Sequence, residues 1–127
     1  MTKNVDVAIV GGGPAGMLSA CLLARAGLRT LVLEKNEDFD REFRGEILQP
    51  RFLQAIKDVD LYDHLRGYPH EEIDGAHVYF HGLKVGRIEA NRLDGRNPHI
   101  WWMTQPTMLS GLHDYAKQYQ NFEIMFH

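Results

Sequence analysis

"VDVAIVGGGPAGMLSA", residues 5–20, sets a β-branched run, three consecutive glycines and an apolar helical pattern in direct succession. Val5–Val10 reads as a short strand, and Gly11–Gly13 as the turn that ends it. Pro14 then stands where a helix tolerates proline best, in the first turn, because its missing N–H has no partner there anyway. The pattern predicts a helix over residues 15–26, with Gly27 closing it. "RTLVLEK", residues 29–35, is a second buried-type strand. Strand, helix and strand within about 30 residues make a βαβ unit, whose two strands must run parallel.

The glycines have the dinucleotide spacing Gly11-x-Gly13-x-x-Gly16. The first permits a tight turn, the second lets a pyrophosphate reach the backbone, and the third lets helix and strand pack closely. The start of the helix adds free N–H groups and the positive end of its dipole, so Pro14 and Ala15 belong to the same cradle. Glu34 ends the second strand, 18 residues past Gly16, where a carboxylate can accept from ribose hydroxyls, with Lys35 beside it. A nucleoside-triphosphate loop would need Lys and then Ser or Thr after Gly16, and Met17-Leu18 stand there instead. Glu34 would also repel a 2′-phosphate, which favours a plain adenosine ribose over NADP. Up to Glu34 the residues fit NAD and FAD equally.

Composition narrows the remaining classes. At 127 residues with 44% hydrophobic content, the chain reads as one domain with a core of its own. A net charge of −3 without a basic run argues against a nucleic-acid surface. Cys21, the single cysteine, excludes an intrachain disulfide and a thiolate metal cage, and suits a reducing cytoplasm. Among Leu18, Leu22 and Ala24 it reads as a core thiol. No stretch approaches the roughly 18 apolar residues of a membrane span. Seven histidines form no metal-binding motif; His77 and His81, placed on one strand, would lie about 13 Å apart. No metal site is expected.

Beyond residue 35 a charged loop is expected, then a helix over 50–57 opened by Pro50 and a short one over 61–66 capped by Asp60 and stopped by Gly67. "AHVYFHGLKVGRIEA", residues 76–90, alternates around His81-Gly82 and predicts an antiparallel hairpin. "HIWWM" reads as a strand, Pro106 opens a helix to about Gln118, and "FEIMFH" reads as a final strand. Asp74-Gly75 and Asp94-Gly95 are ordinary turn chemistry. The fold class is therefore α/β: a Rossmann-like βαβ with a parallel sheet, plus the 76–90 hairpin.

Three segments, in this order, carry a resemblance. "DVAIVGGGPAGMLSACLLARAGLRTLVLEK" looks like the FAD fingerprint of the class A flavoprotein monooxygenases, the aromatic hydroxylases of the p-hydroxybenzoate hydroxylase type. "FRGEILQPRFLQAI" is similar to their segment whose arginine reaches the flavin side of the cofactor, and "MTQPTMLSGL" resembles their helix start that touches the ribityl chain. The resemblance covers nearly all 127 residues and implies FAD as cofactor and NAD(P)H as transient reductant. It implies Arg44 at the pyrophosphate or ribityl region and Gln105 at the ribityl hydroxyls, roles that a bidentate guanidinium and an amide suit.

The implied function is hydroxylation of an aromatic or polyketide-like small molecule by a flavin monooxygenase. In such enzymes the protein positions substrate and excludes water while flavin and O₂ do the chemistry, so no side chain is singled out as catalytic. Trp101-Trp102, with Tyr79 and Phe80, stand either as a pocket wall or as core packing. The family's later Asp-Gly and Gly-Asp segments lie beyond residue 127, and only the 76–90 hairpin of an antiparallel substrate sheet is present. The expectation is an amino-terminal FAD-binding portion, residues 1–127, inactive in isolation and completed by a missing carboxy-terminal half or a homo-oligomer. The alternatives are a non-catalytic fragment that needs a partner chain, or a flavin halogenase or prenyl-lipid reductase on the same fold.

Overall fold

In the computed structural model, which describes residues 4–40, 47–94 and 96–127, the chain opens with β1 (Val7–Val10), α1 (Pro14–Arg25) and β2 (Thr30–Glu34). It continues through β3 (Ile47–Leu48), α2 (Pro50–Asp58), α3 (Tyr62–Arg66), β4 (Glu71–Ile73), β5 (Gly75–Phe80), β6 (Leu83–Glu89), α4 (Ala90–Leu93) and β7 (Ile100–Trp102). It ends with α5 (Gln105–Ala116) and β8 (Phe122–Phe126). Two compact units result: Met1–Glu42 with Gln105–His127, and Phe43–Thr104.

The first unit is the βαβ expected from the glycine turn, extended by one strand. Its three strands lie in the order β1-β2-β8, all parallel, with Val10 opposite Leu33 and Leu33 opposite Met125. Right-handed crossovers that step twice in the same direction put both connecting helices on one face of the sheet. There α1 and α5 pack together and bury Met17, Ala20, Cys21, Ala24, Leu109 and Leu112. Gly27 closes α1 as expected: at φ +88 it donates to Ala24 O, and Leu28 N–H donates to Leu23 O. Asn121 joins this end of α1 to β8, its Nδ2 donating to Ala24 O (2.8 Å) and Leu28 O (2.7 Å).

Asp6 and Arg29 tie the starts of β1 and β2. Arg29 Nη2 and its backbone N–H donate to the two carboxylate oxygens at 2.7 and 2.8 Å, and these bonds hold the Asp6 carboxyl at a pKa of about 2. Cys21 is fully buried and donates its thiol to Leu112 O, and burial pushes that thiol up to about 12, as fits a packing residue.

The second unit centres on β7, paired antiparallel with β3 on one side and β4 on the other. Trp101 on β7 is fully buried, with the rings of His70 and Tyr62 at 4.3 and 4.8 Å; it is core. Lys57 of α2 donates to Asn97 Oδ1, while Asn97 Nδ2 donates to Pro50 O and Gln54 Oε1, which fastens the 97 loop to α2. The hairpin β5–β6 turns through His81 (φ +48) and Gly82 (φ +80), the two positive dihedrals of a type I′ turn. It carries Val78, Tyr79, Phe80, Leu83, Val85 and Ile88 exposed, so Tyr79 and Phe80 are not core within this unit.

Some expectations need correction. Asp60 does not cap α3: it sits at φ +60 in the turn after α2, and Leu61 holds the cap position without a side-chain bond. His81 lies in the hairpin turn, off the strand that carries His77. Asp74, by contrast, stands at a bend between β4 and β5 as its turn chemistry suggests, and its carbonyl accepts from Ala90 N–H.

His113 of α5 supplies a pH handle. It lies between Phe39 (5.7 Å) and Phe122 (6.1 Å), and burial, helped by Lys117, lowers its pKa from 6.5. The unfolded chain then binds more protons than the native one as pH falls below about 6.5, so stability is full above that value and declines beneath it. Thermal melts between pH 7.5 and 5 should show this decline, and His113→Gln should make it shallower.

Candidate functional site

The glycine turn is stitched to the end of β2 from both sides. Gly11 N–H donates to Leu33 O (2.8 Å), and Gly12 N–H donates to Glu34 Oε2 at 2.6 Å. Gly11 takes φ +105, a conformation L side chains rarely adopt, which is the reason glycine stands first. Gly16 is required for a different reason: a Cβ there would lie 2.0 Å from the Gly11 carbonyl oxygen, a backbone atom that cannot step aside.

Gly13 is neither. Its φ of −75 suits any residue, and a Cβ built on it meets nothing within 4 Å. It is the N-cap of α1, with Pro14 following, no side-chain cap bond, and no acidic residue in the first turn. The helix thus begins beside open space, and its N-cap brings no side chain of its own to the positive dipole end. Met17 N–H is the first to find its partner inside the helix, on Gly13 O at 2.9 Å.

Glu34 closes the other side of this opening. It is 5% exposed, and Asn36 donates its backbone N–H (2.9 Å) and Nδ2–H (2.6 Å) to Oε1. Beyond it, a groove lined by Val10, Leu33, Glu34, Lys35, Met125 and Phe126 runs along the carboxyl ends of the three parallel strands. That is the position at which open α/β sheets receive ligands.

The structure therefore gathers Gly11, Gly13, Pro14, Ala15, Gly16 and Glu34 around one opening and sets Lys35 on the wall of the adjoining groove. Gln105 is the first residue of α5 and half-buried. Arg44 lies outside the described residues. Sequence reasoning missed Gly12, which is buried and whose Cβ would lie 3.0 Å from Glu34 Oε2, and it missed Asn36. The middle glycine of "GGG" was the available signal for the first; the second had none.

The family described as "FAD binding domain" matches residues 4–127. A 6-methylpretetramide 4-monooxygenase of Streptomyces rimosus is 30% identical over 96% of this chain and 29% of its own length. A 1H-pyrrole-2-carbonyl-[peptidyl-carrier protein] chlorinase of Pseudomonas fluorescens is 42% identical over 60 residues, 47% of this chain and 13% of the relative. Among solved structures, p-nitrophenol 4-monooxygenase PnpA of Pseudomonas putida DLL-E4 superposes with a TM-score of 0.86 at 24% identity, over 99% of this chain and 32% of that one. The chain thus spans less than a third of the length of these proteins.

The two glycines separate folding from binding. Gly16→Ala should destabilise the fold by about 3 kcal/mol or more, since the clash is with backbone. Gly13→Ala should cost the fold only about 1 kcal/mol, the penalty of alanine at an N-cap, yet lose most dinucleotide affinity, because its methyl fills the space a pyrophosphate would enter. Parallel thermal melts and flavin titrations check both.

Proposed function

The chain belongs to the FAD-binding domain family, and from that premise we propose that it forms the FAD-binding part of a flavin-dependent monooxygenase acting on an aromatic or polyketide-like small molecule. One observation carries the assignment of the site: an uncapped helix start behind an open Gly13, with a buried carboxylate, Glu34, hydrogen-bonded to the same turn.

The residues fit the cofactor. The α1 N-terminus with Gly11, Gly13, Pro14, Ala15 and Gly16 would receive the pyrophosphate, where backbone N–H groups and the helix dipole favour an anion. Glu34 would accept from the adenosine ribose, and the Val10, Leu33 and Met125 groove offers apolar surface to an adenine ring. Arg44 and Gln105 are proposed for the pyrophosphate or ribityl region. Bound FAD would supply the redox chemistry, with two electrons from NAD(P)H and O₂ as the source of one oxygen atom for the substrate and one for water. The protein's part is to hold cofactor and substrate together and keep water out.

Halogenation is the competing reading. The chlorinase likeness spans 60 residues against 122 for the monooxygenase, which favours hydroxylation. Among the described residues no helix is long and apolar enough to cross a membrane, and a cytoplasmic location is part of the proposal.

Val10, Leu33 and Met125 form an exposed apolar row across the sheet, beside the outer edge of β1. We expect further polypeptide or a second copy to pair with that edge and leave the row open to the adenine ring, because a bare strand edge invites pairing. Residues 1–127 expressed alone should self-associate on size-exclusion chromatography and show no NAD(P)H-dependent hydroxylation.

The complete protein should release FAD on denaturation and consume NAD(P)H when given an aromatic substrate. Glu34→Ala should weaken FAD by about 1–3 kcal/mol, the worth of a hydrogen bond to an ionised carboxylate. A colourless complete protein that binds NAD tightly and ignores FAD would overturn the proposal.

A further inference from the structure

Glu34 is held from two directions, and the second is supplied by a residue with no assigned role. At the end of β2 the chain turns so that Asn36 comes back onto the carboxylate. Its backbone N–H and its Nδ2–H both reach Oε1, at 2.9 and 2.6 Å, while Oε2 takes the Gly12 N–H at 2.6 Å. A carboxylate only accepts, so the amide nitrogen of Asn36 must be the atom that faces it. With a donor on each oxygen, rotation of the carboxylate about its last bond would cost bonds at both ends. Gly12 and Glu34 are buried and Asn36 is half-buried, so water replaces these donors poorly.

We propose that Asn36 is a positioning residue of the adenosine-ribose site. It fixes the plane of the Glu34 carboxylate, and through Oε2 the Gly12 peptide, before any cofactor arrives. The proposal rests on the FAD reading for its ligand, but the clamp itself belongs to the ligand-free protein.

Asn36→Asp is the test, since it keeps size and backbone N–H but sets an acceptor against the carboxylate; Asn36→Ser keeps a hydroxyl donor. FAD and its 2′-deoxyadenosine analogue are titrated into the complete protein, and Gly12 amide exchange is followed without cofactor. Wild type should prefer FAD over the analogue by about tenfold, the worth of one charge-assisted bond. Asn36→Asp should lose most of that preference, bind the analogue within about twofold of wild type, and exchange Gly12 about tenfold faster with Leu31 and Val32 unchanged. Asn36→Ser should recover part of both effects. Unaltered Gly12 exchange in Asn36→Asp overturns the proposal, as does faster exchange shared by Leu31 and Val32 with equal weakening of both flavins, which marks a structural role. Failure of wild type to bind FAD would instead strike the FAD reading, leaving Gly12 exchange to decide the clamp.

Discussion

The hydrogen bond from Gly12 N–H to the Glu34 carboxylate joins the turn after β1 to the end of β2, and the cradle depends on it. Parallel pairing from Val7 opposite Thr30 to Val10 opposite Leu33 brings the two strand ends level, and Gly11 N–H on Leu33 O carries the register one residue further. Only then does the carboxylate meet Gly12. A carboxylate 5% exposed would be costly without partners; here N–H donors on both oxygens offset the loss of water. The same bond fixes what can lie beside it, because a methyl on Gly12 would sit 3.0 Å from Oε2.

Gly16 sets the second constraint. Its missing Cβ lets α1 start directly over the Gly11 carbonyl, so the helix axis points at the turn. The axis direction matters because the dipole acts strongly only within the first turn. Gly27, Asn121 and the packing of α1 on α5 then hold that direction from the far end of the helix.

How much of this was legible in the sequence follows from the range of each signal. The βαβ unit, the cradle glycines and Glu34 announce themselves because a turn, a proline at N1 and two apolar runs are local and mutually consistent. The 76–90 hairpin was equally plain, since His81-Gly82 sits between alternating strands. β3 and β4 were not, being two and three residues long; they exist because β7 lies between them, a pairing with no periodicity to read. Asp60 misled because aspartate serves both as a cap and in left-handed turns, and packing of Leu61 and Leu65 decided between them. Asn36 was illegible because its role depends on where a side chain 2 residues back has been pinned.

A site built this way meets its ligand with little left to organise. Gly11 has already adopted its positive φ, Glu34 is already turned onto Gly12, and the helix start is already uncapped. Association loses affinity to every loop and side chain that must be ordered on binding, so prior order inside the protein converts directly into tighter binding. The energy that holds the cradle comes from bonds the fold makes anyway: strand pairing, the helix–helix core, and a carboxylate shared between Gly12 and Asn36. With Glu34 in its proposed role at the ribose, that sharing would also make the site selective. A buried anion whose oxygens are turned toward N–H donors welcomes hydroxyls and resists a 2′-phosphate, because moving it aside would strand those donors without acceptors.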